Sequence, residues 1–117
     1  MKLLRICSSN GKKYIIADSV IIADRFLLRL KGLLGRKEIV EGEGIILYPC
    51  SSIHCYGMKF SIDAFFLDKN RRIIYIYENM KPNTYKAIKG SKYVVELKAG
   101  IALQYGIKVG DAFFLQC

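Results

Sequence analysis

Histidine is almost missing from this 117-residue sequence: His54 stands alone, so no second histidine is present to make a metal pair or a two-histidine acid–base site. Acidic residues are scarce as well. Ten Asp plus Glu face 19 Lys plus Arg, a net charge of +9, and that balance favours anionic partners such as nucleic acid, phosphorylated ligands or acidic lipid surfaces. No apolar run approaches the roughly 20 residues that a bilayer-crossing helix needs. At the N-terminus, Ser8, Ser9, Asn10 and Gly11 interrupt the short apolar runs of Met1 to Lys13, so no secretory leader fits there. The chain therefore reads as soluble and cytoplasmic, with Cys7, Cys50, Cys55 and Cys117 as reduced thiols rather than a disulfide framework. Internal repeats, low-complexity tracts and known catalytic templates are also lacking.

What is present is enough apolar material for one folded domain over residues 1–117: 52% of the residues are hydrophobic and 25% charged. The chemistry-bearing side chains crowd into Tyr48 to Asp68. There His54 lies beside Cys50, Cys55 and Met58, and Asp63 opens an apolar run that reads as a buried strand.

Taken in order, Lys2 to Cys7 and Lys13 to Ala17 read as strands joined at Asn10-Gly11, the favoured pair for a type I′ hairpin turn. A helix is expected over about Ile22 to Lys31, where Ala23, Leu27, Leu30 and Leu34 recur at helical spacing and Gly32 offers a stop. Val40 to Gly44 suits a loop and Ile45 to Tyr48 a strand closed by Pro49. Ile62 to Leu67 and Arg72 to Glu78 form a hairpin around Asp68-Lys69-Asn70-Arg71. Met80 to Ser91 reads as loop, Tyr93 to Leu97 as strand, and Ala99 to Tyr105 as loop or one helical turn. A glycine-bounded turn, Gly106 to Asp111, then leads into a last strand, Ala112 to Leu115. Many short strands with one helix give a mainly β class, a compact barrel or jelly-roll-like sandwich whose amphipathic helix covers an open end.

Four blocks carry a resemblance to a known family. They are Arg29-Leu30-Lys31-Gly32-Leu33-Leu34-Gly35-Arg36; Ile53-His54-Cys55-Tyr56-Gly57-Met58 with Ile62-Asp63 and Phe66-Leu67-Asp68; Val94-Val95-Glu96-Leu97-Lys98-Ala99-Gly100; and Gly106-Ile107-Lys108-Val109-Gly110-Asp111. In order and spacing they resemble domain of unknown function 192, a bacterial and archaeal family, from about Ile15 onward. The resemblance implies a mainly β barrel or sandwich with one short helix and no assigned activity. The family's commoner pattern has threonine in place of Cys55 and proline in place of Ser61.

Three functional readings follow from the residues. In the first, the domain binds an anionic small ligand or a protein partner in a pocket bordered by His54, Met58, Asp63 and Glu96, with Arg25, Arg29, Arg36, Arg71 and Arg72 forming a basic surface around it. Asp63 and Glu96 sit in apolar runs, where a carboxylate needs a partner, and if they meet they can share a proton or clamp a cation. In the second, His54 works with Asp63 or a cysteine in a hydrolase or transferase. In the third, the basic hairpin with Tyr75 and Tyr77 stacks single-stranded nucleic acid. Cys50, His54, Cys55 and Met58 offer soft ligands, but their spacing matches no recognised metal site, so neither metal nor cofactor is expected. Gly106 to Asp111 lacks the glycine spacing of a phosphate loop and reads as structural.

Overall fold

The computed structural model describes residues 1–23, 38–55 and 59–116, the side chains of Ala23 and His54 excepted. In chain order the strands are β1 (Lys2–Ile6), β2 (Lys13–Ala17), β3 (Ser19–Ala23), β4 (Glu43–Leu47), β5 (Ser52–His54), β6 (Ile62–Leu67), β7 (Ile73–Met80), β8 (Tyr85–Ala87), β9 (Tyr93–Lys98) and β10 (Ala112–Gln116). A short helix, α1 (Ile101–Tyr105), precedes β10. The protein is mainly β, as expected. Its strands form a three-stranded sheet β10-β1-β2, a five-stranded sheet β3-β4-β9-β6-β7 and a two-stranded ribbon β5-β8.

The five-stranded sheet is the middle layer, and the period-2 alternation of its strands sends one set of side chains to each side. Val20, Ile46, Phe65, Leu67, Val95 and Leu97 pack with Leu3, Ile16 and Phe113 of the three-stranded sheet. From the opposite face, Ile45, Leu47, Ala64, Phe66 and Val94 pack with Cys50, Ile53 and Cys55 around the ribbon. With apolar cores on both sides, β6 is buried at all six positions, which is why it reads as a nearly continuous apolar run. Gly44 is needed for close approach: a β-carbon there would lie 2.7 Å from Leu97 Cδ2.

The two larger sheets meet at their edges without closing into a continuous barrel. Arg72 bridges Ala112, Ile73 N–H donates to the Asp111 carbonyl at 2.8 Å and Phe113 N–H to the Arg71 carbonyl at 3.1 Å. At the other edge Val20 N–H donates to the Met1 carbonyl at 3.2 Å. A buried ion pair reinforces this join: Arg5 Nε lies 2.9 Å from Asp111 Oδ2. The same guanidinium donates to the carbonyls of Tyr105 and Gly106 at 2.6 and 2.8 Å. Asp111 also accepts from the N–H groups of Ser8 and Lys108. Burial works to raise the Asp111 carboxyl, but these hydrogen bonds outweigh it and hold the group below its ordinary value.

Several local expectations change. The first hairpin forms, but its turn is wider than type I′: only Gly11 has a positive φ (69°), and Asn10 Oδ1 instead accepts from Lys12 N–H at 2.8 Å. Ile22 and Ala23 continue β3, parallel to β4, rather than starting a helix; the remainder of the helix expected to Lys31 lies outside the described residues. The supposed loop Met80 to Ser91 contains β8, paired with β5. β4 begins at Glu43, inside the segment expected to be loop.

Candidate functional site

Asp63 and Glu96 share a pair of adjacent strands but not a face. In the antiparallel register of β6 with β9, Asp63 stands opposite Leu97 and Ala64 opposite Glu96. Paired residues point the same way, so Asp63 faces the three-stranded sheet while Glu96 faces the ribbon. The structure does not bring these two carboxyls together.

Asp63 is fully buried and engaged by backbone. Its Oδ1 accepts from Asn79 N–H at 2.8 Å, and Oδ2 accepts from Gly100 N–H at 3.1 Å and Ala102 N–H at 2.9 Å. Gly100 is the N-cap of α1, so a strand carboxylate supplies the cap that the helix's own sequence lacks. Its role is to fix α1 and the end of β7 onto the sheet.

Glu96 is 8% exposed. Burial pushes its carboxyl up to about 7. No hydrogen bond reaches that carboxyl from the described residues, although it lies close enough to Cys55 for its charge to act on the thiol. Cys55 is pushed up to about 11 by burial first and by Glu96 second, against a hydrogen bond with Thr84. A thiol held that high is not an activated nucleophile at neutral pH. Cys50 Sγ donates to the Ser52 carbonyl at 3.0 Å. The backbone of His54 belongs to β5, next to Cys55; its side chain, Met58, Arg25, Arg29 and Arg36 lie outside the described residues. Among those that are described, no three His, Cys, Asp or Glu side chains group as metal ligands.

The tyrosines of the basic hairpin are partly engaged by the fold. Tyr75 is half-buried and meets Phe66 edge-on at 5.9 Å. One face of its ring is covered by the Lys86 ammonium, 4.9 Å from the centroid. Tyr77 packs against the same core. Arg71 and Arg72 are exposed in the adjoining turn, where Arg72 Nη1 donates to the Gly110 carbonyl at 3.4 Å.

Arg71 leads to a feature that none of the three readings from the sequence includes. Between the two larger sheets lies a cleft of about 450 Å³, lined by Leu3, Ile22, Ile46, Leu67, Val95, Phe113, Phe114 and Leu115 together with Tyr48, Tyr93 and Arg71. Tyr48 and Tyr93 stack with ring centroids 4.6 Å apart and planes 23° from parallel. Among the described residues lining the cleft, Arg71 is the only charged one. A mostly apolar cavity with a few polar groups has the size and character of small-molecule sites.

The model of domain of unknown function 192, described as an uncharacterised family, matches residues 6–114. The chain belongs to that family. Its relatives include the UPF0127 protein of Thermococcus kodakarensis, 30% identical over 111 residues that cover 91% of this chain and 69% of that one. The UPF0127 protein of Pyrococcus furiosus is 30% identical over 108 residues, 88% of this chain and 90% of its own. Among solved structures, a Novosphingobium aromaticivorans protein of unknown function superposes with a TM-score of 0.85 at 24% identity, covering 98% of this chain and 84% of that chain. A Sinorhizobium meliloti protein, provisionally named a transcription regulator, gives 0.83 at 21% identity over 97% of this chain and 92% of its own. At such identities the structural likeness establishes the fold, which this family member shares.

Proposed function

We propose that this domain is a binding module for a small anionic ligand, held in the cleft between the two larger sheets. The observation that carries this reading is the cleft itself, about 450 Å³ with apolar walls and, among the described residues, one cationic residue. The net charge of +9 supports it by drawing anions toward the surface. The enzyme reading has less support, because Asp63 is engaged by three N–H groups and Cys55 is held protonated. Stacking of single-stranded nucleic acid has less support too, since Tyr75 and Tyr77 are packed into a core. The regulator name belongs to the Sinorhizobium protein, whose likeness to this chain is one of fold.

The test is a thermal-shift screen of small carboxylates, phosphates and nucleotides against the protein and its Leu115→Trp variant, which fills part of the cleft. Binding to the cleft predicts that at least one class raises the melting temperature of the parent and that the variant loses this response. A response that survives unchanged in Leu115→Trp, or no response to any class, contradicts the reading.

A second reading rests on Glu96. A carboxyl 8% exposed, with no hydrogen-bond partner among the described residues, is suited to receive a ligand on the ribbon side of the sheet. Ligand binding there is expected to survive Leu115→Trp, so the same screen separates the two sites.

A further inference from the structure

The turn from β6 to β7 holds an arginine where glycine is the usual residue. Asp68 N–H donates to the Arg72 carbonyl and Arg71 N–H to the Asp68 carbonyl, both at 2.9 Å. Asp68 Oδ1 accepts from the N–H groups of Asn70 and Arg72 at 2.8 and 3.0 Å. This is a three-residue hairpin loop whose last member must take a left-handed conformation, and that member is Arg71, with φ 64°. A β-carbon at positive φ carries conformational strain that glycine does not. Strain of this kind is a reason to ask what the side chain does.

Arg71 makes no ion pair or side-chain hydrogen bond with any described residue, whereas Arg5 is paired with Asp111 and Arg72 reaches the Gly110 carbonyl. Its position is nevertheless fixed. The carboxylate of Asp68 pins the turn, and Phe113 N–H donates to the Arg71 carbonyl at 3.1 Å, tying the turn to β10 on the far wall of the cleft. A guanidinium with no partner among the described residues, carried on a fixed backbone at an apolar cleft, is suited to receive an anion.

The charge count narrows the anion. Among the described residues lining the cleft Arg71 is the only charged one, so of these it alone can balance a negative charge, and a planar guanidinium matches a carboxylate through two parallel hydrogen bonds. For the second charge of a phosphate monoester or a nucleotide the described lining residues offer no further cation. The remaining walls, including Leu67, Val95, Phe113 and Leu115, ask for hydrocarbon. We infer that the cleft takes a small apolar monocarboxylate, its carboxylate on Arg71 and its hydrocarbon body between the sheets. This rests on the cleft being the binding site and adds the ligand class and the residue that selects it.

The experiment is calorimetric titration with benzoate, phenylacetate, hexanoate and octanoate, each against its neutral amide, and with inorganic phosphate. It is done on the parent, Arg71→Gln and Arg71→Gly. At least one acid is expected to bind one-to-one, at least tenfold tighter than its amide, while phosphate gives no heat. Both variants are expected to bring that acid down to the level of its amide. Arg71→Gly, relieved of the strained φ, is expected to melt no lower than the parent, which separates loss of binding from loss of folding. Acid and amide of equal affinity would overturn the carboxylate class while leaving the cleft as a binding site. Phosphate matching the best acid would overturn the monocarboxylate assignment, and full acid affinity in Arg71→Gln would overturn the role of Arg71. No binding by any acid or amide would overturn the class; the cleft reading falls with it only if the thermal-shift screen also gives no response to any anion.

Discussion

Glu96 shows how burial alone sets the behaviour of a residue. Its ordinary value of 4.5 moves up to about 7 in the fold, with desolvation as the cause. Because the folded state keeps this proton longer than the unfolded chain, the contribution to stability is complete below about 4.5 and falls as pH rises toward 7, above which it is flat. Glu96→Gln, which imitates the protonated form, is predicted to match the parent at pH 4.5 and to exceed it at pH 8 by up to about 3 kcal/mol. Urea denaturation of both proteins across that range measures this; parallel pH profiles would show that Glu96 finds a compensating partner. Asp63, on the opposite face of the same sheet, behaves differently because three N–H groups surround it. Two buried acids thus have opposite circumstances, one without a described donor and one fully solvated by backbone.

At the scale of elements, that difference makes Asp63 a fastener. Asp63→Ala removes the cap of α1 and the acceptor for Asn79 together, and is predicted to cost about 3 kcal/mol or more in urea denaturation. Asp63→Asn, which keeps one acceptor oxygen, is expected to cost less. A loss below about 0.5 kcal/mol for the alanine variant would mean that water replaces the carboxylate at little cost.

Elements with strong local patterns were legible in the sequence. β6, β7, β9 and β10 follow from apolar runs and their bounding turns, and period-2 alternation in β9 puts Val95 and Leu97 on one face and Glu96 on the other. What the sequence could not supply was the register of β6 against β9. A slip of one residue exchanges every face, and with it the answer to whether Asp63 and Glu96 meet. β5 and β8 are three residues each and exist through pairing with one another, so neither had a local signal. β3 was hidden because Ile22 and Ala23 fit the start of a helical pattern as well as the end of a parallel strand.

The whole molecule explains why the cleft was invisible beforehand. Its walls come from β1, β3, β4, β6, β9 and β10, brought together by sheet packing and not by proximity in the chain. One clue was available locally. The turn Asp68-Lys69-Asn70-Arg71 lacks the glycine that a left-handed loop position prefers, and the residue in its place is the one that lines the cleft. The net charge of +9 belongs to this scale as well, since it draws anions toward the surface, where Arg71 would select among them under the proposed reading. The central claim is that the inter-sheet cleft receives a small anion on Arg71. The most direct measurement is a crystal structure of the protein grown with the tightest-binding acid of the calorimetric series. The account predicts density for that acid between the sheets, its carboxylate within hydrogen-bond distance of the Arg71 guanidinium. Density for the acid anywhere else, or a carboxylate turned away from Arg71, would contradict it.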